Sequence, residues 1–365
     1  MYCYMQIKTG HIFALYAFDV GYEIDLQKTS QILKTELARK LSKRKIAPTY
    51  LQYQTPPLTI ALGEYSFQIT QIPMKAEVAA KVFDFGAISI TYKIPFSSLL
   101  SDLNRYSTAL LYDVNLGIEA KKFLDELFLK IKPAIKKPAV SEIVEDYFIF
   151  QVTEFEREIA AENLRRDYKV DIARALRFEL GDISADEINE SLKNPVSYYN
   201  NDLVITDWNV AFVYDRDYED TVDVLEFLNV ELVELRFNDS LLDKRLIELY
   251  DKLYESRRYF TYFFNPYDRT IRVISEIKIE VSALFEKIDN TIKLIGDIYL
   301  AKVYNLTSDR FHFDKWEKGI EKKLAAIESI YVILNNRLAT IRAETLEGII
   351  IILILVEIIL GLARG

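Results

Sequence analysis

The chain has 365 residues, half of them hydrophobic and 28% charged, with a net charge of −9 and a single cysteine. So much apolar and aromatic material excludes a disordered polymer, and the acidic balance argues against specific DNA binding or wholesale wrapping by nucleic acid, whose phosphates need a basic surface. One thiol, Cys3, cannot close an internal disulfide, and the length exceeds what one hydrophobic core usually organises.

The opening MYCYMQIKTG shows neither the basic-then-apolar pattern of a secretory signal nor the Arg-rich amphipathic pattern of a transit peptide, so the bulk of the protein is expected in the cytoplasm. IFALYAF, residues 12–18, reads as a buried strand. LQKTSQILKTELARKLSKRK, after Asp25, reads as an amphipathic helix with Ile32, Leu33, Leu37 and Leu41 on one side. Short strands follow in LTIAL, YSFQIT, EVAAKVFDF and AISITYKI, with Phe85-Gly86 placed for a tight hairpin. After Pro95, SSLLSDLNRYSTALLYD and IEAKKFLDELFLKIK look helical.

A second stretch repeats this order. DYFIFQVTEFE is a strand followed by helical segments, and LVITDWNVAFVYD parallels KVFDFGAISITYK as strand, Asp-aromatic, strand. The expected fold class is α+β: two small α+β units, read as a weak internal duplication over residues 8–112 and 143–237. Any two α+β stretches share such an order, which is the plainer account. The expected boundaries are 1–112 for the first unit, 113–142 for a helical connector and 143–237 for the second unit. Beyond them come a helical linker at 238–265, a coiled-coil hairpin at 266–345 and a C-terminal transmembrane segment at 346–363.

From Asp239 the pattern is helical, with a break at Asn265-Pro266. The next segment carries Ile274, Ile277, Val281, Leu284, Ile288, Ile295 and Ile298 at three- and four-residue steps, with Thr291 filling the slot between Ile288 and Ile295, the signature of a coiled-coil seam. The chain is expected to reverse near NLTSDRFHFD, with Asp314 and Glu317 framing a capping box. The returning seam runs through Ile320, Leu324, Ile327, Tyr331, Leu334, Leu338 and Ile341, then continues in phase as Gly348, Ile352, Leu355, Ile359 and Leu362.

Past Glu347 that helix loses its polar face. LEGIIIILILVEIILGLARG is apolar from Leu346 to Ala363 apart from Glu347 and Glu357, which reads as a membrane anchor with Arg337 and Arg342 on the cytoplasmic side. The competing reading is a helix buried inside a soluble assembly. Glu357 lies off the seam, so in hydrocarbon it must be neutralised, meet another copy or approach the headgroups; homo-oligomerisation is therefore expected.

The chemistry-bearing motifs are sparse. His11 and His312 are far apart, and no Walker loop, Rossmann glycine run, HExxH or serine elbow occurs. Asp84-Phe85-Gly86 spells a kinase triplet without its companions and reads as a turn. DRDYEDTVDVLE spaces acids like a calcium loop but has Asp220 where that loop needs glycine, so a helix N-terminus is the simpler account. No cofactor is expected. Two basic clusters remain, Arg39, Lys40, Lys43, Arg44 and Lys45, and Lys130, Lys132, Lys136 and Lys137. Each is either a solvated helix end or a contact for anionic lipid or RNA.

The combination of IFALYAFDVGYEIDL, KVFDFGAISI, a long helical hairpin and the closing LEGIIIILILVEIILGL resembles the Required for Meiotic Nuclear Division family, in its prokaryotic, C-terminally anchored branch. The mitochondrial members are inner-membrane proteins thought to form oligomers and to support translation by tethering ribosomes. The resemblance therefore implies a membrane-tethered, homo-oligomeric scaffold whose cytoplasmic head meets a partner such as the ribosome. It supplies no catalytic residues. The alternative is a hydrolase or nucleotide-binding enzyme with a cleft between the two α+β units, using Asp84 and Asp207 at equivalent hairpins.

Overall fold

Along Gln6–Asp19 (β1), Ile12, Ala14, Tyr16 and Phe18 point to one side and Phe13, Leu15, Ala17 and Asp19 to the other, and all eight are buried. A strand covered on both faces belongs in the middle of a sheet. β1 occupies that place in a seven-stranded sheet of order β3-β4-β5-β1-β7-β9-β8, formed with Leu58–Ile69 (β3), Ile72–Val82 (β4), Ala87–Leu99 (β5), Val144–Phe155 (β7), Leu203–Thr206 (β8) and Val210–Tyr214 (β9). Two short strands, Glu23–Ile24 (β2) and Ile135–Lys136 (β6), pair separately. The computed structural model describes residues 4–37, 55–255, 272, 274–279, 281–283, 286 and 297–364.

The protein is α+β, as its sequence indicates, with a large sheet followed by C-terminal helices. Both α+β stretches contribute strands to the same sheet. Their pairing differs: β5 runs antiparallel to β1, whereas β9 runs parallel to β7. The recurrence is thus one of element order, while the ladders are built differently.

One face of the sheet is covered by Leu26–Leu37 (α1), Leu103–Tyr112 (α2), Leu116–Ile131 (α3), Ala161–Asp167 (α4) and Lys169–Leu176 (α5). Leu33, Leu110, Leu124, Leu164 and Ile172 enter a single core with Ile12, Ile90, Phe150 and Phe212. The short helix Ala185–Ser191 (α6) starts on Ser184, whose hydroxyl accepts from Glu187 N. The opposite face meets the front of Glu219–Glu255 (α7), where Phe227 packs on Phe83 and Phe85, and Ile298–Arg310 (α8), after which Phe311 stacks edge-on against Tyr147.

Two compact units result. The first comprises Met1–Phe237 and Glu286–Asp314, and the second Asn238–Phe285 and Lys315–Gly365. In the second, Leu242, Leu249, Ile274, Ile277, Val281, Ile320, Ile327 and Ile330 are buried, while Lys278 pairs with Glu328 at 3.0 Å and Lys323 with Asp239 and Asp243 at 2.7 Å each.

Two helix boundaries depart from the sequence pattern. The periodic run from Ile274 does not reach Ile298 as one helix: Asp297 is extended (φ −106°, ψ 124°), accepts from the amides of Tyr299 and Leu300, and starts α8, leaving Ile298 75% exposed. A strong cap outcompeted periodicity. The reversal falls where expected, with His312 in the left-handed region (φ 56°), but Phe313–Arg364 (α9) opens before Asp314, which sits in its first turn and favours the helix dipole instead of capping it. The Asn265-Pro266 break, Ile288 and Ile295 lie outside the described residues.

Gly86 closes the β4–β5 turn at φ 108°, and a Cβ there would stand 1.8 Å from the carbonyl oxygen of Gly21. Gly86→Ala is expected to destabilise the first unit by about 3 kcal/mol or more, read as a drop in denaturant midpoint.

Candidate membrane-anchoring site

α9 is a 52-residue helix whose environment changes along its length. Ile320, Ile327 and Ile330 are buried, whereas Leu346, Ile352, Leu355, Ile359 and Leu362 are all more than half exposed. Among the described residues one helical segment, Ala343–Leu362, is long and apolar enough to cross a membrane, and none of it is buried by the protein. Its 20 residues span roughly 30 Å, the thickness of a bilayer's hydrocarbon. Gly348 and Gly361 have no neighbouring atoms that an added Cβ would meet.

The balance of transfer energies can be stated. Thirteen large aliphatic residues from Leu346 to Leu362 are exposed, and at about 0.3–0.6 kcal/mol each their insertion is worth ~4–8 kcal/mol. A charged side chain at mid-bilayer costs ~2.5–3.5 kcal/mol on the same scale. Glu357 lies five residues before Leu362, about 7 Å inside the end of the segment, where the cost is lower still. Glu347 sits near the other end. The aliphatic term wins over one carboxylate at intermediate depth.

Of the remaining seam positions, Ile274, Val281, Ile320 and Ile327 are buried in their unit, and Leu334, Leu338 and Ile341 lie on the α9 backbone, their side chains outside the described residues. The first basic cluster, Arg39 to Lys45, is also outside them. In the second, Lys136 is paired with Glu23 at 2.7 Å and the Lys137 ammonium lies 5.7 Å from the Tyr22 ring centre. These two lysines thus have local structural work.

The carboxylates of the enzymatic alternative are separated. Asp84 turns the β4–β5 hairpin and Asp207 the β8–β9 hairpin. The sheet order puts β1 and β7 between them, about 14 Å across the strands. Asp207 accepts from Trp208 N at 2.9 Å and pairs with Arg177 at 2.6 Å, which in turn holds Glu187. Burial pushes its carboxyl above the usual range against the pull of Arg177. An open cleft of about 590 Å³ is lined by Thr70, Ser101, Asp102, Arg105, Asp113 and Arg174, so neither turn aspartate reaches it. His11 bonds to Gln151 at 3.1 Å, and burial lowers its pKa; His312 lies against Trp208, ring centres 5.7 Å apart. In the acidic run, Asp215 accepts from Asp217 N, while Asp223 and Glu226 turn to Lys81.

That last contact belongs to a polar layer that the sequence pattern did not reveal. Cross-strand register aligns Lys81, Ser89, Ala17 and Glu145 in one row facing α7. Lys81 Nζ lies 2.5 Å from Glu226 and 3.0 Å from Asp223, and Thr91 donates to Glu226 at 2.7 Å. Arg236 pairs with Glu145, whose carboxyl burial raises to about 7 despite that cation. Asp19, two residues along from Ala17, is likewise pushed up to about 8 by burial. The available signal was Lys81 itself, a lysine at an inward position of an alternating strand.

A family profile described as "Uncharacterized protein MJ0711, N-terminal domain" matches residues 9–221, more than half of the chain, and the chain belongs to that family. Uncharacterized protein MJ0711 of Methanocaldococcus jannaschii is 26% identical over 348 residues, which cover 94% of this chain and 95% of the relative. No solved structure matches the chain.

Ile352→Arg places a charge at the middle of the exposed segment. It is expected to lower membrane partitioning by about 3 kcal/mol, roughly a hundredfold in the partition coefficient, measured by vesicle flotation across a lipid titration.

Proposed function

We propose that this member of the MJ0711 family is a membrane-tethered, homo-oligomeric scaffold that presents its α+β unit to a partner. The observation that carries the reading is the unburied aliphatic surface of Ala343–Leu362. Water-exposed apolar patches of this size are rare on soluble monomers and mark membrane or protein contacts. Arg337 and Arg342 precede the segment and support a single pass with the bulk of the protein on the cytoplasmic side of the cell membrane.

Glu357 supports self-association, because a carboxylate in hydrocarbon is stabilised by a polar partner on a neighbouring helix. The coiled-coil character proposed for 266–345 is supported by the buried Ile274, Val281, Ile320 and Ile327. The translation machinery is proposed as partner on the resemblance to the Required for Meiotic Nuclear Division family, which rests on IFALYAFDVGYEIDL, KVFDFGAISI and the closing apolar run. Arg39 to Lys45 add a sequence-level basic patch suited to ribosomal RNA or anionic lipid.

Cell fractionation tests the tether. Full-length protein is expected in the membrane pellet after an alkaline carbonate wash, and a chain ending at Thr345 in the supernatant; release of the full-length protein by low salt would overturn the reading. Native mass spectrometry of detergent extracts is expected to show multiples of the chain mass, and monomer alone would remove the oligomer from the proposal.

A further inference from the structure

We propose that β3 is the edge by which two copies of this chain join, antiparallel about a two-fold axis at Ser66, making one sheet from two. The proposal rests on the self-association put forward above and gives it a place in the α+β unit. The two ends of the sheet are unlike. At one, β8 has four residues, and Val196 and Val204 exchange both backbone hydrogen bonds, so that the edge is short and covered. At the other, β3 runs for 12 residues, and among the described residues only β4 pairs with it. A long open edge is a template for another strand. The usual protections are missing: Pro56 and Pro57 stand before the strand, and its one charge, Glu64, is paired with Lys75 of β4 at 2.6 Å.

The direction of the main-chain groups follows from the turn. β3 and β4 are joined by two residues, Thr70 (φ 47°) and Gln71 (φ 69°), which makes Ile69 and Ile72 a hydrogen-bonded pair. Alternating back from that pair, the N–H and C=O groups of Gln68, Ser66 and Glu64 point away from β4. Pro73, which has no N–H to give, sits opposite Gln68, as this alternation requires.

The side chains sort in the same rhythm. Past the irregularity at Gly63, Glu64, Ser66 and Gln68 are exposed on one face, while Tyr65 and Phe67 lie half-buried on the other, stacked with ring centres 5.9 Å apart. A strand that covers this edge must bring apolar residues beside one face and polar residues beside the other, in the same alternation. β3 is itself such a strand.

A two-fold axis perpendicular to the sheet keeps like faces together. Centred on Ser66, it sets Tyr65 against the partner's Phe67 and Glu64 against the partner's Gln68. This register gains two aromatic cross-strand pairs and keeps the two Glu64 carboxylates from standing directly opposite, where they would repel. An axis at Tyr65 would set Phe67 against Gly63, which has no side chain to meet it, and one at Phe67 would carry Glu64 past the end of the partner's strand.

The test is oxidative cross-linking of the full chain in detergent, on a Cys3→Ser background. Ser66→Cys puts two thiols across the axis at ~5.5 Å between Cα atoms, within disulfide reach, and a dimer band is expected on a non-reducing gel. Thr59→Cys, exposed on the same strand, is far from its copy in this register and should stay monomeric. Ser66→Pro removes an outward N–H and leaves the β4 ladder intact, so native mass spectrometry is expected to show half the subunit number of the unmodified chain; Ser66→Lys serves if that variant does not fold. Monomer alone in the unmodified protein removes self-association itself. Multimers that survive Ser66→Pro, with no dimer band from Ser66→Cys, leave self-association standing and overturn β3 as its interface.

Discussion

Aliphatic surface in contact with water is the constraint from which the account proceeds. Along the last turns of α9 the side chains from Ile349 to Leu360 are all exposed, Glu357 among them, and none of that segment is buried by the protein. A helix satisfies its own backbone hydrogen bonds and needs only an apolar surrounding. Lipid supplies that surrounding at a length that fits, and a second copy of the chain supplies it in part. Each solution ties this protein to a larger structure, so the functional reading is set by burial that the chain lacks.

The first unit shows the contrasting case. β1 is buried on both faces, and the two faces are solved differently. Toward α1 to α5 the sheet is apolar, and its core is continuous. Toward α7 the strands carry Lys81, Ser89, Thr91, Asp19 and Glu145, and α7 answers with Asp223, Glu226, Asn229 and Arg236. A charged layer of this kind adds little stability compared with apolar packing, but it fixes one arrangement of helix over sheet, because any slip would leave an ion buried alone.

Much of this was legible in the residues. The alternation in IFALYAF and AISITYKI marked strands, Asp84 to Gly86 marked a hairpin, and the loss of the polar face after Glu347 marked the exposed helix. What escaped was of two kinds. Pairing partners are set by long-range contacts, so the parallel β7–β9 ladder could not be told from an antiparallel one. Local capping overruled periodicity, as at Asp297, where one carboxylate bonding two amides ended a seam that the isoleucines alone would have continued. The polar layer was hidden because Lys81 and Glu226 are 145 positions apart and each looks like an ordinary surface charge in its own element.

The most direct measurement of the central claim is spin-label accessibility at residue 352, using Ile352→Cys with Cys3→Ser in proteoliposomes. If the helix lies in lipid, the label will collide readily with dissolved oxygen and hardly at all with a water-soluble nickel chelate. Protection from both reagents would show the helix packed inside protein, and access to the chelate would show it in water; either result would contradict the account.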